Sequence, residues 1–165
     1  MKILFVGEGG QGVQLAAELL AHSAFTENKE TSLIPNFGVE QRGGVSLAFV
    51  VVNEDAGYPK FDKADYLILL CDRGFERIKR YICQDTILLA GPEITITPKI
   101  EGKWIKIEAG DTPLKVANML MLGQLINQSK IIDKETLKQV LEEKLGEKFL
   151  KNPELKEENF KAIDR

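Results

Sequence analysis

The chain has 165 residues, of which 44% are hydrophobic and 28% charged, a balance typical of a domain with a buried core. The formal net charge of −3 gives no electrostatic case for nucleic acid. No apolar run approaches the roughly 20 residues that span a membrane. Cys71 and Cys83 are too few for a disulfide scaffold or for a zinc or iron–sulfur site. Without an export signal, a cytoplasmic protein is expected.

The first two thirds of the chain predict strands that alternate with helices. An apolar run over 2–6 predicts a buried strand, and helical spacing of apolar residues predicts a helix over 11–25. A second helix is predicted over 73–82. Six further segments have the composition of strands: 31–34, 45–52, 66–70, 87–90, 94–97 and 104–107. Pro35 is expected to end the first of them.

The last third of the chain predicts helices. Asp111, Thr112 and Pro113 have the pattern of a helix start, and Asp133 is expected to begin another helix. About half of residues 133–165 are charged, which favours a solvated helical segment; the alternative is an arm that docks on a partner. We therefore predict one domain over 1–165, a three-layer α/β/α fold with a parallel or mixed central sheet and a helical C-terminal region.

A glycine loop follows the first predicted strand. Gly7, Gly9 and Gly12 form G-x-G-x-x-G, which can bind a dinucleotide phosphate at a helix N-terminus or can serve as a tight strand-to-helix turn. A dinucleotide site also needs an acidic residue at the end of the second strand, where this chain has Pro35 and Asn36. Glu8 would oppose a pyrophosphate. A nucleotide-binding or redox-sensing module therefore stays the second hypothesis.

Three sequence stretches taken together are a more specific indication of function than this glycine loop alone. They are GEGGQGV at 7–13, FGVEQRGG at 37–44 and NMLMLG at 118–123. Their order and content resemble the gamma subunit, or gamma domain, of the 2-oxoacid:ferredoxin oxidoreductases, a family that includes enzymes for pyruvate, 2-oxoglutarate, 2-ketoisovalerate and indolepyruvate. The resemblance covers essentially the whole chain.

The resemblance implies a subunit of a heteromeric enzyme that decarboxylates a 2-oxoacid to an acyl-CoA and reduces ferredoxin. Thiamine diphosphate, Mg²⁺ and iron–sulfur clusters are then expected in the partner alpha, beta and ferredoxin-like delta subunits, with coenzyme A as co-substrate. No cofactor, metal or catalytic residue is expected in this chain, which offers no nucleophile with its base; His22 is expected at the surface. The chain would contribute assembly and active-site closure and be inactive alone.

The candidate contact residues for a partner subunit or coenzyme A lie in the two glycine-rich loops. They are Gly9, Gly10, Gln11, Gly12, Glu40, Arg42, Gly43 and Gly44. Arg42 is singled out because its guanidinium can grip a carboxylate or a phosphate with several N–H donors. Three roles stay open for it: a salt bridge to another subunit, a contact with coenzyme A, or an internal ion pair with a carboxylate such as Glu40.

Overall fold

The computed structural model describes residues 1–36, 44–53 and 60–165. Six strands form one mixed sheet: β1 Lys2–Glu8, β2 Thr31–Asn36, β3 Val45–Val52, β4 Tyr66–Leu69, β5 Ile87–Ala90 and β6 Lys103–Lys106. The helices are α1 Val13–Thr26, α2 Phe75–Ile78, α3 Ala117–Ser129, α4 Lys134–Lys151 and α5 Pro153–Asp164. The predicted α/β architecture is confirmed, with the sheet of the mixed kind.

The strand order is β2-β3-β1-β4-β5-β6. β3 is antiparallel to both of its neighbours, whereas β1, β4, β5 and β6 run parallel to one another. The chain leaves β1 toward one edge of the sheet and later returns to β4 on the other side of β1. The strand order therefore reverses between β1 and β4, the position at which open α/β sheets bind their ligands.

Side chains of β1 alternate between two hydrophobic cores. Ile3 and Phe5 pack with α1, α3, α4 and α5 on one face of the sheet. Leu4 and Val6 pack on the other face with α2 and the segments beside it, where Trp104 also lies half-buried. Residues 45–52 and 66–69 are apolar almost without alternation, because these strands are covered on both faces of the sheet.

Pro35 does not end β2, contrary to prediction. Met1 and Val52 exchange both backbone hydrogen bonds, at 2.6 and 2.9 Å, so the even-numbered residues of β3 bond toward β1. Pro35 lies opposite the even-numbered Ala48. Its backbone groups therefore point away from β3, and the missing N–H of proline removes no hydrogen bond from this edge strand.

Residues 94–97 do not form the predicted strand. The N–H groups of Thr95 and Ile96 donate to the Asp72 carboxylate at 3.0 and 3.4 Å. The Lys106 ammonium donates to the carbonyls of Gly91 and Pro92 at 2.8 and 2.9 Å. Side chains thus satisfy this backbone, and β6 takes the place beside β5.

The helix predicted over 73–82 is only partly regular. Its α-helical part is the single turn α2, which lies between the 3₁₀ turns Asp72–Gly74 and Lys79–Tyr81. The predicted start of the third helix is likewise a 3₁₀ turn, Leu114–Val116, ahead of α3. A side-chain pattern reports the apolar face of such segments but does not distinguish i+3 from i+4 hydrogen bonding.

The C-terminal helices belong to the core, so the expected solvated segment is wrong. Asp133 caps α4 as predicted, because its carboxylate accepts from the Glu135 N–H at 2.8 Å. Fully buried residues of α4 and α5 then join the core beside α1 and α3: Leu137, Leu141, Ala162 and Ile163. The many charges occupy the outer faces of these helices. Docking of this region on a partner, the alternative interpretation, stays untested.

Candidate functional site

The glycine loop begins where β1 ends, at the carboxyl edge of the sheet. Gly10 and Gly12 have φ angles of 100° and 72°, values that side chains rarely adopt. Gly12 is the N-cap of α1, with no side-chain hydrogen bond to cap it. The glycine-rich sequence is therefore required at two of its positions by the backbone turn itself.

Gln11 bridges the two parallel strands where they diverge. Its Oε1 accepts from the Glu8 N–H at 2.7 Å, and its Nε2 donates to the Leu70 carbonyl at 2.9 Å. The preceding ladder bond, from the Leu70 N–H to the Val6 carbonyl, is direct at 2.9 Å. The next bond of a parallel ladder would join Glu8 to Leu70, so the Gln11 carboxamide stands in place of that bond.

Gly7 makes room for this carboxamide. A Cβ at position 7 would lie 2.8 Å from Gln11 Oε1, 2.7 Å from Val13 Cγ2 and 3.1 Å from Leu70 Cβ. These are closer than carbon contacts normally come, so a side chain here would displace Gln11 or its neighbours. The first glycine of the motif thus gives close packing in this fold.

Two of the predicted motifs meet at Gly12. The Asn118 Nδ2 group lies 3.4 Å from the Gly12 carbonyl, and Asn118 Oδ1 accepts from the Met119 N–H at 3.0 Å. A Cβ on Gly12 would collide with the Asn118 side chain. The asparagine at the start of α3 therefore packs directly on the N-terminus of α1.

The second glycine-rich loop reaches the first at Gly44. The Gly9 N–H donates to the Gly44 carbonyl at 3.3 Å. The structure thus brings Gly9, Gly10, Gln11, Gly12 and Gly44 together. The other predicted contact residues, Glu40, Arg42 and Gly43, lie outside the described residues.

A small cleft of about 110 Å³ opens beside the glycine loop. Its walls come from the ends of three elements and from the turn before α3: Gly10, Gln11, Leu70, Pro92, Glu93, Leu114, Lys115 and Ala117. Leu114 is 51% exposed although it is a large apolar residue. Sequence reasoning missed the residues after β4 and β5, although both follow parallel strands whose carboxyl ends meet at one edge.

The charges around the cleft are mostly paired. Glu8 forms an ion pair with Arg73 at 3.3 Å, and Lys115 forms one with Glu158 at 2.7 Å. The repulsion that Glu8 was expected to exert on a phosphate is therefore partly offset by Arg73. Glu93, which is exposed, adds a negative charge to the cleft wall.

Cys71 and His22 are not placed together as a nucleophile and its base would be. Burial raises the pKa of the Cys71 thiol, which lies just after β4 and is buried, as an unreactive thiol would be. His22 is exposed and lies in the last turns of α1, away from the glycine loop at the other end of that helix. Within residues 1–36, 44–53 and 60–165, no three His, Cys, Asp or Glu side chains converge as metal ligands would.

The described part of the chain has no helix of the length and apolarity that crossing a membrane requires.

The fold and the site define a mixed α/β domain in which a glutamine bridges β1 and β4 at the point where the strand order reverses. The sequence profile of the pyruvate ferredoxin/flavodoxin oxidoreductase family matches residues 2–165. The chain belongs to this family.

Individual relatives are similar to the chain over most of its length. It is 30% identical to 2-oxoglutarate synthase subunit KorC of Methanocaldococcus jannaschii, over 85% of this chain and 81% of the relative. It is 29% identical to pyruvate synthase subunit PorC of Methanothermobacter marburgensis, over 90% of each chain.

A solved structure has the same fold. The 2-oxoglutarate:ferredoxin oxidoreductase of Magnetococcus marinus, solved with 2-oxoglutarate, coenzyme A and succinyl-CoA bound, matches with a TM-score of 0.87 and 25% identity. That match covers 99% of this chain and 30% of the longer chain.

Proposed function

We propose that this chain is the gamma-type subunit of a 2-oxoacid:ferredoxin oxidoreductase, which converts a 2-oxoacid and coenzyme A to an acyl-CoA and reduces ferredoxin. The observation that carries the proposal is the family match across residues 2–165, together with relatives that are named as subunits of 2-oxoglutarate and pyruvate synthases. Because these relatives differ in their 2-oxoacid, the proposal names the class of substrate and not one acid.

The chemistry of the reaction is assigned to partner chains. Thiamine diphosphate with Mg²⁺ would attack the 2-oxoacid there, and iron–sulfur clusters would carry electrons to ferredoxin. The described residues of this chain do not suit a cluster, because Cys71 is buried and Cys83 lies elsewhere in the fold. We place the assembled alpha, beta, gamma and delta complex in the cytoplasm.

The role proposed for this chain is to stabilise the complex and to help close the active site. The surface that supports this role is the carboxyl edge of the sheet, where the glycine loop meets Gly44 through Gly9 and borders a small cleft. Arg42 is proposed to extend this surface and to make a salt bridge with a partner subunit; a contact with coenzyme A is the second role considered for it.

Reconstitution tests the proposal. The purified chain is expected to show no 2-oxoacid decarboxylation and no ferredoxin reduction, even with thiamine diphosphate added, and to restore activity when mixed with its alpha, beta and delta subunits. Affinity purification from the native host should recover those subunits with it. Turnover of a 2-oxoacid by the single chain, or failure to join any thiamine-binding chain, would contradict the proposal.

Arg42→Ala separates the roles of the second loop. Loss of a salt bridge across an interface leaves the partner carboxylate unpaired and is expected to weaken assembly by about 30-fold or more. The melting temperature of the isolated chain should change little. A raised KM for coenzyme A with normal assembly would favour the coenzyme contact, and a large fall in melting temperature alone would favour an internal ion pair.

A nucleotide-binding module is the second candidate, on the strength of the glycine loop at the N-terminus of α1. The Gln11 bridge and the absence of an acidic residue at the end of β2, where Asn36 stands, both weigh against it. We expect NAD(H), NADP(H) and flavins to bind no better than millimolar. Micromolar binding of one of them in titration calorimetry would favour this candidate instead.

A further inference from the structure

The Gln11 carboxamide acts as a wedge in the sheet. β1 and β4 are paired from Ile3 to Val6, and one more direct bond joins Leu70 to Val6. Beyond that bond the side chain of Gln11 separates the Glu8 N–H from the Leu70 carbonyl, and it satisfies both groups at 2.7 and 2.9 Å. The point at which the two strands part is therefore set by one side chain.

Three contacts within the chain fix the base of the loop that starts at Gln11. Gly9 donates to Gly44, Gln11 donates through its own N–H to the Glu8 carbonyl at 3.1 Å, and Gly12 packs against Asn118. The apex at Gly10 is different, because it is exposed and a Cβ built there would lie within 4 Å of no atom in the described residues. The loop thus combines a fixed base with an apex that faces outward.

Removal of the carboxamide would change the position of the loop more than the number of hydrogen bonds. Without the wedge, the Glu8 N–H and the Leu70 carbonyl can bond to each other directly, as the next pair of a parallel ladder does. This bond would draw Glu8 and Gly9 toward β4. Gly9 would then pull away from Gly44, to which it is bonded at 3.3 Å.

We propose that Gln11 is a positioning residue for assembly: its carboxamide holds β1 and β4 apart so that the Gly9–Gly10 apex and Gly44 take the arrangement that the catalytic subunits contact. This inference rests on the proposed function and adds to it the residue that shapes the contact surface. Gln11 itself need not touch a partner, since both ends of its amide are engaged within the chain.

The experiment titrates a fixed amount of the partner subunits with wild-type chain and with three variants, and follows 2-oxoacid-dependent ferredoxin reduction. Gln11→Ala removes the wedge, and Gln11→Glu keeps its volume and the acceptor for Glu8 but cannot donate to Leu70 when ionised. Gln128→Ala is the matched control, because Gln128 is an exposed glutamine on α3 with no hydrogen-bond partner among the described residues.

Gln11→Ala is expected to raise the apparent dissociation constant of the chain by about tenfold or more, since preformed contact geometry is a main determinant of affinity. Gln11→Glu should show a smaller loss, and Gln128→Ala none. Gln128→Ala should also leave the limiting rate at saturating chain and the KM for coenzyme A at their wild-type values. Hydrogen exchange of the isolated Gln11→Ala chain should show lost protection at the Gly9 amide.

Three results would overturn the inference. One is assembly of Gln11→Ala like wild type; another is a loss for Gln11→Glu as large as for Gln11→Ala. The third is a loss of assembly that follows only from a lower melting temperature of the isolated variants, which would make Gln11 a stability residue. If the wild-type chain itself fails to assemble, the proposed function falls together with this inference, so the two failures are distinguishable.

Discussion

Replacement of Gly123 by alanine is expected to destabilise the domain, although alanine is the better helix former. Gly123 lies within α3, where α5 passes over it. A Cβ at this position would collide with the Ile163 carbonyl oxygen and would lie 2.9 and 3.0 Å from the Ile163 carbonyl carbon and Cα. These are backbone atoms of a fully buried residue, so they cannot turn aside as a flexible side chain could.

The size of the effect follows from two opposing contributions. Alanine gains about 1 kcal/mol over glycine in a helix interior. Forcing an extra methyl group into a packed contact costs about 1–3 kcal/mol, and a backbone neighbour places the cost at the upper end. We therefore expect a net loss of about 2 kcal/mol, which for a protein of this size lowers the melting temperature by about 4–8 °C.

Gly146→Ala is the matched control, because Gly146 lies within α4 and has open space where a Cβ would go. Here the helix preference acts alone, so we expect a gain of up to about 1 kcal/mol. Thermal and urea unfolding, followed by circular dichroism, measure both variants. A Gly123→Ala variant as stable as wild type, or shifts of the same sign for both glycines, would refute the packing argument.

Three further predictions concern single side chains. Ser23→Ala should stabilise the fold by about 1 kcal/mol in urea unfolding, because the fully buried Ser23 hydroxyl has no hydrogen-bond partner among the described residues. Iodoacetamide should alkylate Cys83 well before Cys71 in the folded chain, as mass spectrometry of quenched samples would show. Cys83 is half-exposed and its hydrogen-bonding contact with the Thr86 hydroxyl lowers the pKa of its thiol, whereas burial raises the pKa of Cys71. Desolvation acts to raise the pKa of Asp72, but the hydrogen bonds from Thr95 outweigh it and hold that pKa below its ordinary value of 3.8. Asp72→Asn should therefore reduce stability at neutral pH, and its difference from wild type should shrink as the pH falls below that value; a difference that stays constant with pH would be the contrary result.

The amino-acid pattern was sufficient for the local features of this fold. Apolar runs located β1, β3, β4 and β5, and the capping residue Asp133 located the start of α4. The three motif stretches indicated the family that the profile match confirms. These features depend on residues close together in sequence, where periodicity and capping act directly.

Other features depended on contacts between distant residues. The strand expected at 94–97 is replaced by backbone held on Asp72 and Lys106, and Pro35 is accepted within β2 because its backbone faces the free edge. The charged C-terminal helices looked solvated, yet α5 packs on Gly123. Composition reports how many charges a helix has, but burial depends on which face meets a neighbour.

The glycine loop shows most clearly which features can be predicted from the sequence and which depend on the tertiary structure. Its glycines and its place between a strand and a helix were readable from the chain, and so was the absence of an acidic residue for a ribose. The sequence could not predict that Gln11 lies between Glu8 and Leu70, because Leu70 is separated from Gln11 by 59 positions. Only the parallel pairing of β1 with β4 brings them together, and it is this pairing that turns a phosphate-loop pattern into a wedge between two strands.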